Sequence, residues 1–244
     1  MIKRLIASLV FLMLASIATA DEPAAFSLDY EVSRNGKTLG EATLSLERLN
    51  AENWMFRSHT VGTEGLASIA GVEIDERSEF RWADGRPETL RYSFDQEMRF
   101  KSKKRSLSVM PNASRVSGRD GDGEYNLEFE PGLLDRNLVV LALAGDIARG
   151  EQHLQYRVAD KRKIDSNEYQ AMGSETLDTP RGKLEAIRVE RIRRDSGRKT
   201  TIWIAPSLDH LPVRILQVEP DGETLDMKPL PQYAVHTIAA LTSP

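Results

Sequence analysis

The chain of 244 residues contains no cysteine. It therefore has no disulfide, no thiolate nucleophile, no Cys-ligated metal and no lipid attached to an N-terminal cysteine. A chain of this length can bury an adequate core without such staples. Histidine is also scarce. His59, His153, His210 and His236 are the four, and none lies at the i, i+2 or i, i+4 spacing of a metal pair. No metal and no cofactor is expected.

The familiar catalytic signatures are missing as well. There is no G-x-S-x-G elbow, no H-E-x-x-H pair, no P-loop and no G-x-G-x-x-G after a strand. The segment Gly65-Leu-Ala-Ser-Ile-Ala-Gly71 places Ser68 between glycines at the wrong spacing for an elbow. It reads as a bend or short apolar loop, exposed unless something covers it. Asp120-Gly-Asp-Gly-Glu124 has the acidic spacing of a calcium loop but lacks the remaining ligands and the distal glutamate, so it reads as a solvated turn. These absences weigh against catalysis. A Ser-His-Asp constellation drawn from distant segments stays open, because triads are defined by geometry and not by order.

Long apolar runs are confined to the start. Lys3 and Arg4 precede an apolar run from Leu5 to Ile17, followed by Ala18-Thr19-Ala20 before Asp21. This is the layout of a cleaved signal peptide over residues 1–20, and the run is shorter than the roughly 20 residues that span a bilayer. The expectation is an exported periplasmic chain with no transmembrane segment in its mature form and no lipid anchor. Removal of the leader takes away Lys3 and Arg4 and no acid, so the formal charge moves from −4 to −6, which argues against nucleic acid as a partner. The basic runs Lys101-Ser-Lys-Lys-Arg105 and Arg188 to Arg198 alternate with acids or apolar residues and read as solvated strand faces rather than anion sites.

What is abundant is turn chemistry between alternating runs. Asn35-Gly36, Asp84-Gly85, Asp120-Gly121-Asp122-Gly123, Ser196-Gly197 and Asp221-Gly222 supply the positive φ angles of tight hairpins. Phe26, Leu28, Tyr30 and Val32 share one face of a period-two run, and similar runs start at Gly40, Trp54, Glu73, Thr89, Phe100, Tyr125, Leu154, Leu184, Thr200 and Leu211. This pattern predicts a mainly β fold, a large curved antiparallel sheet or half-barrel meander. With no linker-like segment, residues 21–244 read as one β domain with a short C-terminal tail from about residue 229. No fixed-period repeat favours a propeller or solenoid.

One segment breaks the alternation. Residues 133–149 are long enough for a helix, with Asp135 placed to N-cap it and Gly150 placed to end it. Leu138 to Ala144 is apolar on all sides, which for a helix means burial in the hollow of the sheet. A strand through Leu138 to Leu143 is the competing reading, since Val139 and Val140 are β-branched.

Three stretches together carry a family resemblance: Phe26 to Val32 with Gly36 and Gly40, Gly173-Ser-Glu-Thr-Leu-Asp-Thr-Pro-Arg-Gly182, and Thr201-Ile-Trp-Ile-Ala-Pro206 with Leu211-Pro-Val-Arg-Ile215. In order and spacing the chain from about Phe26 to Asp226 resembles domain-of-unknown-function family 3108. The resemblance implies an exported bacterial, mostly antiparallel β protein with a curved sheet and no assigned activity. At the level of fold it also points by analogy to periplasmic half-barrels that carry lipids or lipoproteins.

Two non-catalytic functions follow. In one, the hollow of the sheet shelters an amphiphile (a lipid, an acylated peptide or an apolar protein segment), with Trp54, Trp82, Trp203 and Arg214 as candidate ligand-binding residues. In the other, the hollow is filled by the helix and an edge strand or the Gly65 to Gly71 loop contacts an envelope protein. A hydrolase with an unrecognised site is the third reading. The tryptophans also suit an ordinary core or sheet surface. A four-residue turn at Pro206-Ser-Leu-Asp209 would set Ile204 opposite Leu211, Ile202 opposite Val213 and Trp203 opposite Pro212. It would also require the proline to lie at a local edge or a non-hydrogen-bonded pair.

Overall fold

The structure, a computed structural model, describes residues 23–194 and 197–230 and the backbone of His236–Thr237. The expected leader, the Ser196 turn position and nearly all of the expected tail lie outside the described residues.

Strand formation follows the alternation. In β1 (Phe26–Arg34), Phe26, Leu28, Tyr30 and Val32 all turn into the core. The strands β2 (Lys37–Arg48), β3 (Asn53–Gly62), β4 (Glu73–Ala83), β5 (Arg86–Met98), β6 (Lys101–Met110), β7 (Arg115–Asp120) and β8 (Gly123–Glu128) then add one after another, each antiparallel to the last. The hairpins at Asn35-Gly36 and Asp84-Gly85 place both turn residues at positive φ, as the sequence predicts.

The second half walks back from the other side. Strands β9 (Leu134–Asp135), β10 (His153–Asp160), β11 (Lys163–Thr179), β12 (Gly182–Ile192), β13 (Lys199–Ala205), β14 (Leu211–Val218) and β15 (Thr224–Pro229) end with β15 paired to β1. The order is thus a ring of strands opened between β8 and β9. Pairing is antiparallel except for the short parallel bridge between β9 and β10. The open edges lean together: Arg105 of β6 lies 3.8 Å from Asp160 of β10.

The helix α2 (Val139–Ala148) fills the hollow, following a short α1 (Gly65–Ile69). Its Val139, Leu141, Ala142, Leu143 and Ile147 are buried against inward side chains of both halves, among them Leu28, Phe56, Phe80, Tyr156 and Ile204. Gly150 ends it at φ 81°. The start differs from the expected 133–149. Leu134 and Asp135 form β9, and Asp135 accepts hydrogen bonds from the backbone N–H of Asn137 and Leu138, at 2.9 and 3.1 Å, in the turn that leads into the helix. An Asx turn has taken the place of an N-cap.

The Lys199 to Ile215 hairpin also departs from the expected register. The connection runs through Pro206–Leu208 as a 3₁₀ turn, followed by Asp209 and His210 at φ 51° and 59°. Ala205 therefore faces Leu211, and Ile204 faces Pro212. A bulge then sets Trp203 opposite Arg214 and Ile202 opposite Ile215. Ile202, Ile204 and Leu211 enter the main core, whereas Val213 joins Trp203 on the opposite face. Pro212 is accommodated because β14 pairs with β15 only from Ile215 onward, which leaves a local edge. The Tyr30 hydroxyl donates to the Pro212 carbonyl.

Candidate functional site

The hollow is not completely filled. A cavity of about 340 Å³ lies at one end of the sheet, between the last turns of α2, the start of β1, the end of β4 and the β13–β14 connection. Its walls are mainly apolar: Phe26, Phe56, Trp82, Val140, Leu141, Ala144 and Leu211, with Gly145 and Ala148 contributing little bulk. The small residues in the last turns of α2 are what leave the space. A Cβ added at Gly145 would meet only ordinary contacts, 3.5 Å to Arg149 and 3.7 Å to Trp82.

Polar groups gather at the rim. Arg149, Asp209 and His210 line the cavity beside Pro23 to Ala25. Arg149 donates to the Gly85 carbonyl at 2.8 Å and pairs with Asp146. Asp146 is almost fully buried and collects the Arg86 guanidinium at 3.1 Å and the Tyr156 hydroxyl at 2.6 Å. Burial and the Asp146 bond both push the Tyr156 phenol upward, so it stays a neutral donor. This cluster ties α2 to the β4–β5 turn and to β10.

A second buried carboxylate holds the other end of the helical segment. Asp135 has no cation among its hydrogen-bond partners. It accepts from Ser78 Oγ at 2.8 Å and Thr89 Oγ1 at 3.0 Å in addition to the two backbone N–H groups. Burial pushes its carboxyl up to about 6, against those hydrogen bonds, which favour the charged form. Asp135 is fully enclosed, so the cluster latches β9 onto β4 and β5 rather than meeting solvent.

The four candidate ligand residues are not brought together. Trp82 lines the cavity, packs edge-on to Phe80 and has a buried Nε1 without a partner among the described residues. Trp54 is in the core with the Arg48 guanidinium 5.2 Å above its ring. Trp203 and Arg214 lie in contact on the opposite face of the sheet. There Arg214 stacks 4.8 Å from the indole and forms a two-pronged pair with Asp226 at 2.9 and 2.8 Å, and Trp203 Nε1 donates to Glu175 at 2.8 Å. Ala186, Leu177 and Leu184 of the long β11–β12 hairpin cover this face. The cavity wall supplied by Val140, Ala144 and Gly145 was missed in the sequence. The run Ala144-Gly145 with Ala148 one turn on is the signal that could have found it.

Among the described residues no group of three or more His, Asp or Glu could hold a metal, and no helix is long and apolar enough to cross a membrane. Ser68 lies in α1, exposed. The Asp120 to Glu124 turn joins β7 to β8, with Asp120 paired to Arg105 at 3.0 Å.

An open, curled sheet wrapped around one helix defines a barrel-like β protein. Among the solved structures it resembles is a beta-barrel-like protein of domain of unknown function DUF1849 from Brucella abortus, with a TM-score of 0.56 at 8% identity over 87% of this chain and 98% of that one. That likeness concerns the fold alone. The chain belongs to the family described as protein of unknown function DUF3108, whose pattern matches residues 29–228. Comparison with curated proteins finds no match.

Proposed function

We propose that this chain is a non-catalytic protein of the bacterial periplasm, exported by a leader over residues 1–20, that shelters the apolar tail of an amphiphile. The observation that carries the reading is the cavity of about 340 Å³ at the end of α2. Its size falls within the roughly 300–1,000 Å³ of small-molecule sites, and its apolar wall with a few polar groups at one side is the lining that such ligands require. The tail lies along Val140, Leu141 and Ala144 and against Trp82, and the polar head stays at the rim with Arg149, Asp209 and His210. Trp203, Arg214 and Trp54 take no part, since neither the outer cluster nor the Arg48-capped indole borders this space.

Native mass spectrometry of the protein purified from an envelope extract tests the reading. The expected spectrum retains a lipid-sized adduct that is lost in Gly145→Leu, a change that fills the cavity while replacing a helix-weakening glycine, worth up to about 1 kcal/mol in favour of folding. An adduct-free wild type that co-purifies with a protein would instead support a partner-binding protein with no small ligand. An adduct unaffected by Gly145→Leu would place the ligand elsewhere.

A further inference from the structure

The opposite end of the sheet carries its apolar side chains outward. Among the described residues the three most exposed large hydrophobic side chains are Phe100 at 94%, Leu66 at 81% and Ile69 at 66%. They are neighbours: the Arg99 N–H donates to the Ala70 carbonyl at 2.8 Å, which joins the β5–β6 turn to the end of α1. Loose attachment does not explain the exposure. The backbone of α1 sits so close to β3 that a Cβ at Gly62 would come within 2.8 Å of the Ala67 carbonyl oxygen, and a Cβ on the facing Gly40 would meet the Val61 carbonyl at 2.0 Å. Gly62 thus seats a helix that buries none of its own side chains, and Gly40 lets β2 approach the strand beneath it.

The charge around this tip has a pattern. Arg99, Lys101 and Lys103 are exposed and make no ion pair among the described residues, while Lys104 pairs with Asp95 and Glu97, and Glu73 approaches His59. Glu64 makes no ion pair among the described residues, and Glu73 pairs only with His59, which is charged only when protonated, so the cationic excess lies on the β5–β6 hairpin itself. The β5–β6 hairpin also overhangs its neighbour. β7 ends at Asp120 opposite Arg105, so Lys101 to Lys104 extend about 13 Å further at roughly 3.3 Å per residue. An apolar apex on a cationic overhang is the arrangement in which aromatic and aliphatic groups enter a bilayer's interfacial layer while long basic side chains reach the head groups.

We propose that this tip docks on the surface of an anionic lipid bilayer, with Phe100, Leu66 and Ile69 entering the interface and Arg99, Lys101 and Lys103 against the head groups. Docking is independent of the cavity. A protein partner is the less suited occupant, because the three side chains stand on protrusions and not in a concave seat.

Vesicle flotation of the whole mature chain tests this, with phosphatidylcholine vesicles compared with vesicles half phosphatidylglycerol. The wild type is expected to float with the anionic vesicles and to detach at high salt, where screening shortens to about 3 Å at 1 M. Phe100→Asp is expected to weaken binding roughly tenfold or more. The doubly reversed Lys101→Glu, Lys103→Glu protein should lose its preference for anionic vesicles, and Gly145→Leu should float like the wild type. Both changed surfaces are exposed, and circular dichroism verifies folding. Absence of flotation with anionic vesicles overturns the proposal. So does a Phe100→Asp protein that floats like the wild type, or a wild type that stays in solution and self-associates through Phe100.

Discussion

The two ends of the sheet use the same kinds of residue to opposite effect. At the α2 end, Phe26, Trp82, Val140 and Leu211 face one another across a cavity rimmed by Arg149, Asp209 and His210. At the α1 end, Leu66, Ile69 and Phe100 face solvent beside Arg99, Lys101 and Lys103. The difference comes from what the connecting segments bury. The β4–β5 turn is drawn inward by the Asp146 cluster, whereas the β5–β6 turn is joined to α1 by the Arg99–Ala70 backbone bond and leaves Phe100 in solvent. Composition alone does not tell an enclosed cavity from an exposed apolar tip; the packing of the adjoining turn does.

Changes that disturb the inward end should cost most. Asp135→Ala leaves Ser78, Thr89 and two backbone N–H groups without their acceptor in a sealed site, and a loss of about 3 kcal/mol or more is expected in urea unfolding. No such loss is expected of Phe100→Asp, and an equal loss there would break the contrast between the ends.

The pH dependence sharpens the same point. Asp135 titrates at about 6 when folded, above the roughly 3.9 of an unfolded aspartate. Its folded pKa is raised, so its favourable contribution is complete below about pH 4 and is lost as the pH rises through 6, a difference of about 3 kcal/mol. The stability of Asp135→Asn measured against the wild type across pH 4–7 should therefore rise with pH. A flat difference would mean that the carboxyl is not held by burial.

A smaller effect is expected at the rim. Asp209 and His210 are consecutive non-glycine residues in the left-handed region. His210→Gly relieves one of these positions, and a gain of about 0.5–1 kcal/mol in thermal or urea unfolding is expected after the entropy of the added glycine is set against it.

The sheet was legible where alternation met turn chemistry: Phe26 to Val32 and the Asn35-Gly36 and Asp84-Gly85 hairpins read directly. Of the strands β1 to β15, four were not. β11 buries only Asn167 and Tyr169, its apolar residues Ile164, Ala171, Met172 and Leu177 do not alternate along it, and its hairpin from β10 turns on Lys161 at φ 59°, which carries no turn signature. β7 and β15 are short, with few apolar residues, and β9 is two residues fixed by the tertiary contacts of Asp135. The buried helix was foreseen from Leu138 to Ala144, but its start was moved by the Asx turn at Asp135. Of the candidate site, Trp82 was placed and the helix wall was not. Trp203 lies on the reverse face by simple alternation with Ile202 and Ile204, whereas the bulge that turns Val213 to that same face cannot be read from propensity.

The most direct test of the inward seat is a methyl NMR titration of the mature chain with a soluble single-tailed amphiphile below its micelle concentration. Saturable shifts at Val140, Leu141, Ala144 and Leu211, with Leu66 and Ile69 unmoved, are the predicted result. Shifts centred on Leu66 and Ile69, with the α2 methyl groups unmoved, would contradict it.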